Sequence, residues 1–163
     1  MSSIHIIYAS TSGHTEYVVN VLTALLRQHG HAVTLTRAEA AKPEDLQKGD
    51  VLLLGSGTWN TGGIEGQLNP HMHALLFERA TDVSLQRKRV GLISLGDERY
   101  YYTTRCTEHF MRFLKECGAK QFLPPLIIVN EPYDQEERIT TWGNAVVTRL
   151  AKGNGDRLPK MGQ

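Results

Sequence analysis

The chain has 163 residues, of which 40% are hydrophobic and 21% charged, and its formal net charge is +1. These values are ordinary for a globular domain that buries its own core. A nearly balanced charge favours neither nucleic acid nor a membrane surface as a partner, and we expect neither. We expect one domain over residues 1–152, followed by a polar C-terminal tail over residues 153–163.

The cysteine positions and the amino terminus bear on the cellular compartment. Cys106 and Cys117 lie in one predicted helix, too far apart along its axis to form a disulfide. The first residues lead directly into a short strand, without the basic and long apolar segments of a signal peptide. No apolar run is long enough for a membrane span. The sequence therefore predicts a cytoplasmic protein with reduced thiols.

Strand and helix patterns alternate along the chain. Residues 4–9 form a continuous apolar run typical of a strand buried on both faces, and apolar residues then recur at helical spacing up to Gly30. Further strands are predicted at 31–36, 51–54, 89–95 and 122–129, and further helices at 68–77, 104–117 and 134–150. This alternation predicts an α/β fold, a doubly wound five-stranded parallel sheet with helices on both faces.

Three chemically unusual loops follow predicted strands, at 10–15, 55–66 and 96–104. In a doubly wound sheet, ligands bind beyond the carboxyl ends of the strands. The sequence therefore predicts a binding site formed by these three loops.

The first loop is rich in hydroxyl groups and contains no lysine or arginine. It has neither the P-loop motif nor the Gly-x-Gly-x-x-Gly dinucleotide motif, and the strand before it lacks the acidic residues of a phosphorylated receiver. Amides at a helix start carry partial positive charge, and Ser10, Ser12 and Thr15 would add donors. The loop can thus bind a phosphomonoester through hydrogen bonds alone. The alternative is a hydroxyl-rich helix cap.

The other two loops carry aromatic residues. Trp59 lies in the sequence GTWNTGG, and Tyr100, Tyr101 and Tyr102 follow Gly96-Asp97. Aromatic side chains suit the faces of a large flat ligand. At least one of the tyrosines could instead pack at the start of the following helix.

The three loops together resemble those of the flavodoxins. Residues 10–15 are similar to the family's [Ser/Thr]-x-[Ser/Thr]-Gly-x-Thr loop, which holds the phosphate of FMN. Thr58-Trp59-Asn60 resembles the loop whose tryptophan covers the inner face of the flavin ring, and Gly96-Asp97 with Tyr100 resembles the loop that covers the outer face. The resemblance spans most of the chain, including RITTW at 138–142, and no insertion splits the fifth strand, as in short-chain members.

This resemblance implies strand order 2-1-3-4-5, FMN as the cofactor and single-electron transfer as the function. The implied partners are a flavoprotein reductase and an acceptor enzyme, each contacted transiently by a monomer. The FMN-binding residues that it implies are Ser10, Thr11, Ser12, Gly13, His14, Thr15, Thr58, Trp59, Asn60, Thr61, Gly62, Gly96, Asp97, Tyr100, Tyr102 and Thr104.

Two other functions fit the same fold. An NAD(P)H-dependent flavin or quinone reductase would need space for a nicotinamide, which a tyrosine over the outer face obstructs. A partner-binding activator would not need all three loops. No Cys/His cluster has metal-ligand spacing and no catalytic residues are identified, so we expect an electron carrier without a metal.

Overall fold

The computed structural model describes residues 1–61, 64–97 and 104–152. Its strands are β1 (Ser3–Tyr8), β2 (Ala32–Arg37), β3 (Val51–Thr61), β4 (Ile64–Leu68), β5 (Arg89–Gly96), β6 (Lys120–Gln121) and β7 (Leu126–Val129). Its helices are α1 (His14–Gln28), α2 (Pro70–His73, continued as a π-helix over Ala74–Arg79), α3 (Cys106–Cys117) and α4 (Glu136–Lys152).

The main sheet is parallel, in the order β2-β1-β3-β5, with β6 and β7 forming the last strand in two pieces. The predicted order 2-1-3-4-5 is confirmed. Tyr8 pairs with Arg37 on one side and with Gly55 on the other, and Gly96 pairs with Val129. The carboxyl ends of the strands therefore meet at one edge of the sheet, where the three loops begin.

Helices cover both faces of the sheet, as predicted. Ile6 packs in a core with Leu22 of α1 and Trp142 of α4. Its neighbour Ile7 faces the opposite core, which contains Phe110 of α3 and Met72 of α2. Because successive side chains of a strand point to opposite faces, one uninterrupted apolar strand supplies both cores.

The second predicted loop contains more regular structure than expected. Thr58 pairs with Leu68 and Trp59 with Gln67, so the end of β3 and β4 form an antiparallel hairpin beside the parallel sheet. The helix predicted from residue 68 begins at Pro70, because the Asn69 side chain accepts a hydrogen bond from the amide of His71 at 2.9 Å.

The fifth predicted strand, 122–129, is interrupted. Its regular parts are β6 and β7, and Pro124-Pro125 lie between them. Proline has no amide hydrogen for the ladder to β5, so pairing stops there and resumes at Leu126. The tail 153–163 lies outside the described residues. Within the described ranges, no helix is long and apolar enough to span a membrane.

His5 is a buried histidine in the centre of β1, with 3% of its surface exposed. Its Nδ1 lies 3.0 Å from the carbonyl oxygen of Asp45, and its Nε2 lies 2.8 Å from the Thr36 hydroxyl. The neutral ring satisfies both contacts when Nδ1–H donates and Nε2 accepts. Burial lowers the pKa of His5 below its ordinary value of 6.5.

We expect acidification to destabilise the fold through His5. Because the folded-state pKa lies below the unfolded value, His5 contributes its full stability above pH 6.5, and this contribution falls as the pH drops through the folded pKa. A His5→Asn variant should therefore lose less free energy of unfolding than the wild type between pH 7.5 and pH 5. Urea unfolding of each protein at both pH values measures this. His29→Asn, at an exposed helix end, is the control, and equal pH slopes for His5→Asn and wild type would contradict the assignment.

Candidate cofactor site

An open cleft of about 690 Å³ lies at the carboxyl edge of the sheet. Its size is that of a small-molecule or cofactor site. All three predicted loops contribute to its walls. The described residues that line it are Ala9, Ser10, Thr11, Ser12, His14, Thr15, Gly57, Thr58, Trp59, Leu95, Gly96, Asp97, Asn130 and Glu131.

The first loop turns sharply from β1 into α1. Gly13 has φ 95°, in the left-handed region that glycine adopts without strain, and α1 begins at the next residue. The amide of Glu16 donates to the Ser10 hydroxyl oxygen at 3.2 Å. That oxygen acts as an acceptor there, so the Ser10 O–H can still donate into the cleft. The helix start adds amides that have no intrahelical acceptor.

Two glycines of β3 keep space at the base of the cleft. A Cβ at Gly55 would lie 3.3 Å from Cγ2 of Thr15, and a Cβ at Gly57 would lie 3.3 Å from the indole nitrogen of Trp59. Both contacts are tighter than ordinary packing, so side chains here would displace Thr15 and Trp59. Because neither glycine has a side chain, Thr15 of the hydroxyl loop and the indole of Trp59 have room to lie along one wall of the cleft.

The β3–β4 hairpin is anchored to α3 on its far side. The Thr58 hydroxyl accepts a hydrogen bond from the amide of Cys106 at 3.3 Å, and Nε2 of His109 lies 2.8 Å from the carbonyl oxygen of Gly66. Burial lowers the pKa of His109, which favours the neutral ring, whose Nε2–H donates to Gly66. These contacts fix the hairpin that carries Trp59.

Asn69 connects the first and second loops. It is fully buried. Its side-chain Nδ2 donates to the Thr11 hydroxyl at 3.1 Å, and its backbone N–H donates to the Ser56 hydroxyl oxygen at 3.0 Å. Asn69 is not among the site residues predicted from the sequence. The Asn-Pro pair before a helical segment is a helix-start signal and could have indicated it.

The described residues that line the cleft include the carboxylates of Asp97 and Glu131 and no lysine or arginine. His14 packs edge-on against Tyr133, with ring centroids 5.6 Å apart. An anionic ligand in this part of the cleft would thus be held by hydroxyls and amides. Among the described residues, no three His, Cys, Asp or Glu side chains cluster as metal ligands.

Most of the predicted site residues that the structure describes come together in the cleft. Two of them do not line the cleft. Gly13 forms the turn of the first loop, and Thr104 lies in the turn before α3 with φ 58°. Asn60 and Thr61 lie at the end of β3, where the pairing with β4 is irregular. Gly62, Tyr100 and Tyr102 lie outside the described residues. The lining residues that the sequence analysis missed are Ala9, Gly57, Leu95, Asn130 and Glu131.

Fold and site together define a class of protein. A doubly wound sheet carries an uncharged, hydroxyl-rich loop at a helix start, and a tryptophan lies in the same cleft. The loop fits a phosphomonoester and the indole fits a flat aromatic ring, which is the combination that a flavin mononucleotide requires. The donor set and the space beside Gly55 and Gly57 therefore suit FMN.

Comparison with known proteins agrees with this class. The model of the Flavodoxin family matches residues 6–142. A flavodoxin from Nitratidesulfovibrio vulgaris is 28% identical over 151 residues, covering 92% of this chain and 100% of that protein. Protein MioC from Escherichia coli K12 is 32% identical over 121 residues, covering 74% and 79%. The crystal structure of oxidised Flavodoxin 2 from Bacillus cereus superposes with a TM-score of 0.78 at 28% identity, covering 90% and 99%.

The chain belongs to the flavodoxin family. It is an FMN-binding electron-transfer protein, an electron carrier rather than an enzyme. When bound, FMN supplies the redox chemistry, since its ring can take up one electron or two.

Proposed function

We propose that this protein carries single electrons from a flavoprotein reductase to an acceptor enzyme, with residues 1–152 acting as one FMN-binding domain. The observation that supports this most is that the hydroxyl loop and Trp59 line the same cleft. We also propose that it works in the cytoplasm, because Cys106 and Cys117 are both buried free thiols.

The proposal divides the cleft between two parts of FMN. Residues of the first loop would bind the phosphate, with Ser10, Ser12 and Thr15 donating through their hydroxyls and the α1 amides adding partial positive charge. The flavin ring would contact the second and third loops. Its proposed neighbours are Thr58, Trp59, Asn60, Thr61, Gly62, Gly96, Asp97, Tyr100, Tyr102 and Thr104.

Reduction experiments distinguish a carrier from a reductase. With one FMN per chain, a reductive titration followed by absorbance should show two separate one-electron steps. NADPH alone should reduce the protein slowly, and catalytic amounts of a flavoprotein reductase should reduce it quickly. Because the chain carries a formal net charge of only +1, this rate should fall only weakly with added salt. Rapid two-electron reduction by NADPH alone would refute the carrier role.

A further inference from the structure

The first loop has no cation of its own, yet a guanidinium from another strand reaches it. Nη1 of Arg37, the last residue of β2, donates to the carbonyl oxygen of Ser10 at 3.1 Å. Nη2 donates to Oε2 of Glu16 at 3.0 Å. The guanidinium carbon also lies 5.3 Å from the ring centroid of Tyr8. One side chain thus contacts the end of β1, the start of the loop and the first turn of α1.

The sheet register brings Arg37 to this position. Arg37 pairs with Tyr8, the residue from which the chain leaves β1 for the loop. β2 lies beside β1 at the edge of the sheet, so a long side chain at its carboxyl end extends over the neighbouring loop. Sequence spacing does not indicate this contact, because Ser10 and Arg37 are 27 residues apart.

Among the contacts of Arg37, the one with Glu16 bears most on phosphate binding. Its amide binds the Ser10 hydroxyl oxygen at 3.2 Å, so it is part of the same local structure as the proposed phosphate loop. Its carboxylate accepts hydrogen bonds from Arg37 at 3.0 Å and from the Tyr8 hydroxyl at 3.4 Å. Without Arg37, an uncompensated carboxylate would lie beside a loop that has to receive a phosphomonoester of charge about −1.5 to −2.

A purely structural role explains this pair poorly. The Arg37 and Glu16 side chains are 36% and 40% exposed, and ion pairs with that much exposure add little to stability. A phosphate carries more than one charge, so its repulsion by a nearby carboxylate is larger than the attraction between two single charges at the same distance. On this comparison the pair should affect the choice of ligand more than it affects folding.

We propose that Arg37 is a positioning residue for phosphate recognition, which neutralises Glu16 and holds Ser10 so that the uncharged loop prefers FMN to riboflavin. The proposal rests on the phosphate-loop assignment made above. It adds a specificity determinant from β2, outside the three loops.

The test compares the affinity of the full-length protein for FMN and for riboflavin by equilibrium dialysis. Arg37→Met should lower FMN affinity about tenfold and riboflavin affinity less than about twofold, because only FMN carries the phosphate charge. Added salt should narrow the FMN deficit, since it screens repulsion. Arg37→Lys, which keeps the charge, should bind FMN within about threefold of the wild type.

A second substitution separates charge from structure. Glu16→Gln combined with Arg37→Met should recover most of the FMN affinity, because the repelling carboxylate is gone. The matched control combines Arg37→Met with Glu39→Gln. Glu39 also contacts Arg37, at 3.7 Å, but it lies in the 3-10 turn Ala38–Ala40 after β2, so this change should recover nothing.

Each outcome bears on one assignment. Equal loss of both flavins in Arg37→Met, unchanged FMN affinity, or equal recovery by Gln at positions 16 and 39 would overturn the role of Arg37. If Arg37→Met does not fold, the comparison of Glu16→Gln with Glu39→Gln in the Arg37→Lys background replaces it, and only the change at 16 should raise FMN affinity. Equal affinity of the wild type for both flavins would instead refute the phosphate loop itself.

Discussion

Replacing Ser12 with aspartate is expected to lower FMN affinity more than 100-fold and to change riboflavin affinity less than about threefold. Ser12 lines the cleft in the centre of the hydroxyl loop. At an effective dielectric constant of about 20, two unit charges about 5 Å apart repel by about 3 kcal/mol, and a phosphate carries more than one. Equilibrium dialysis against each flavin measures both affinities.

Asparagine at the same position is the matched control for this prediction. Ser12→Asn gives a side chain of nearly the same size as aspartate, without charge and with an amide that still donates hydrogen bonds, so it should cost FMN binding only about 1 kcal/mol, roughly fivefold in affinity. Similar losses for the aspartate and asparagine variants would mean that volume, not charge, matters. If the aspartate variant lost as much affinity for riboflavin as for FMN, Ser12 would not be a phosphate contact.

Replacing Trp59 with alanine is expected to weaken FMN and riboflavin by similar factors. The indole lies in the cleft wall beside Gly57. FMN and riboflavin have the same ring and differ only in the phosphate, so the indole would make the same contacts with both. Loss of aromatic contact with a flat ring costs about 1–3 kcal/mol, or roughly 5- to 150-fold in affinity. Each flavin is titrated with the protein, and the quenching of the flavin fluorescence gives its affinity.

Trp142 provides the control for Trp59, because the chain has only these two tryptophans. Trp142 lies in α4, with its indole nitrogen donating to the carbonyl oxygen of Pro124 at 2.8 Å, away from the lining of the cleft. Trp142→Phe should leave both flavin affinities nearly unchanged, and the fluorescence of the remaining Trp59 should be quenched on flavin binding. A Trp59→Ala variant that loses FMN alone would contradict the proposed ring contact.

The sheet could be predicted largely from local patterns. Apolar runs such as residues 4–9 and 51–54 indicate strands buried on both faces, and the periodicity between them indicates the covering helices. The hairpin of β3 and β4 could not be found this way. Its pairing of Trp59 with Gln67 depends on contacts across a glycine-rich segment that has little strand propensity of its own.

The candidate site divides in the same way. The first loop was identifiable because its six residues are consecutive, and Trp59 because an aromatic residue is unusual in a polar, glycine-rich loop. The family resemblance added Asp97 as a site residue. Asn69 and Arg37 were missed because their contacts with Thr11 and Ser10 join residues 58 and 27 positions apart. A hydrogen bond of that separation leaves no periodic trace in a single sequence.

The sequence by itself determined the α/β class, the hydroxyl loop at the start of α1 and, through family resemblance, the cofactor, because these depend on neighbouring residues and on consecutive motifs. Only the tertiary structure decided which strand supports the hydroxyl loop. The register of β2 against β1 places Arg37 beside Tyr8, and the same guanidinium then contacts Ser10 and Glu16. Strand register is set by packing across the whole sheet, so the charge next to the loop is a property of the fold.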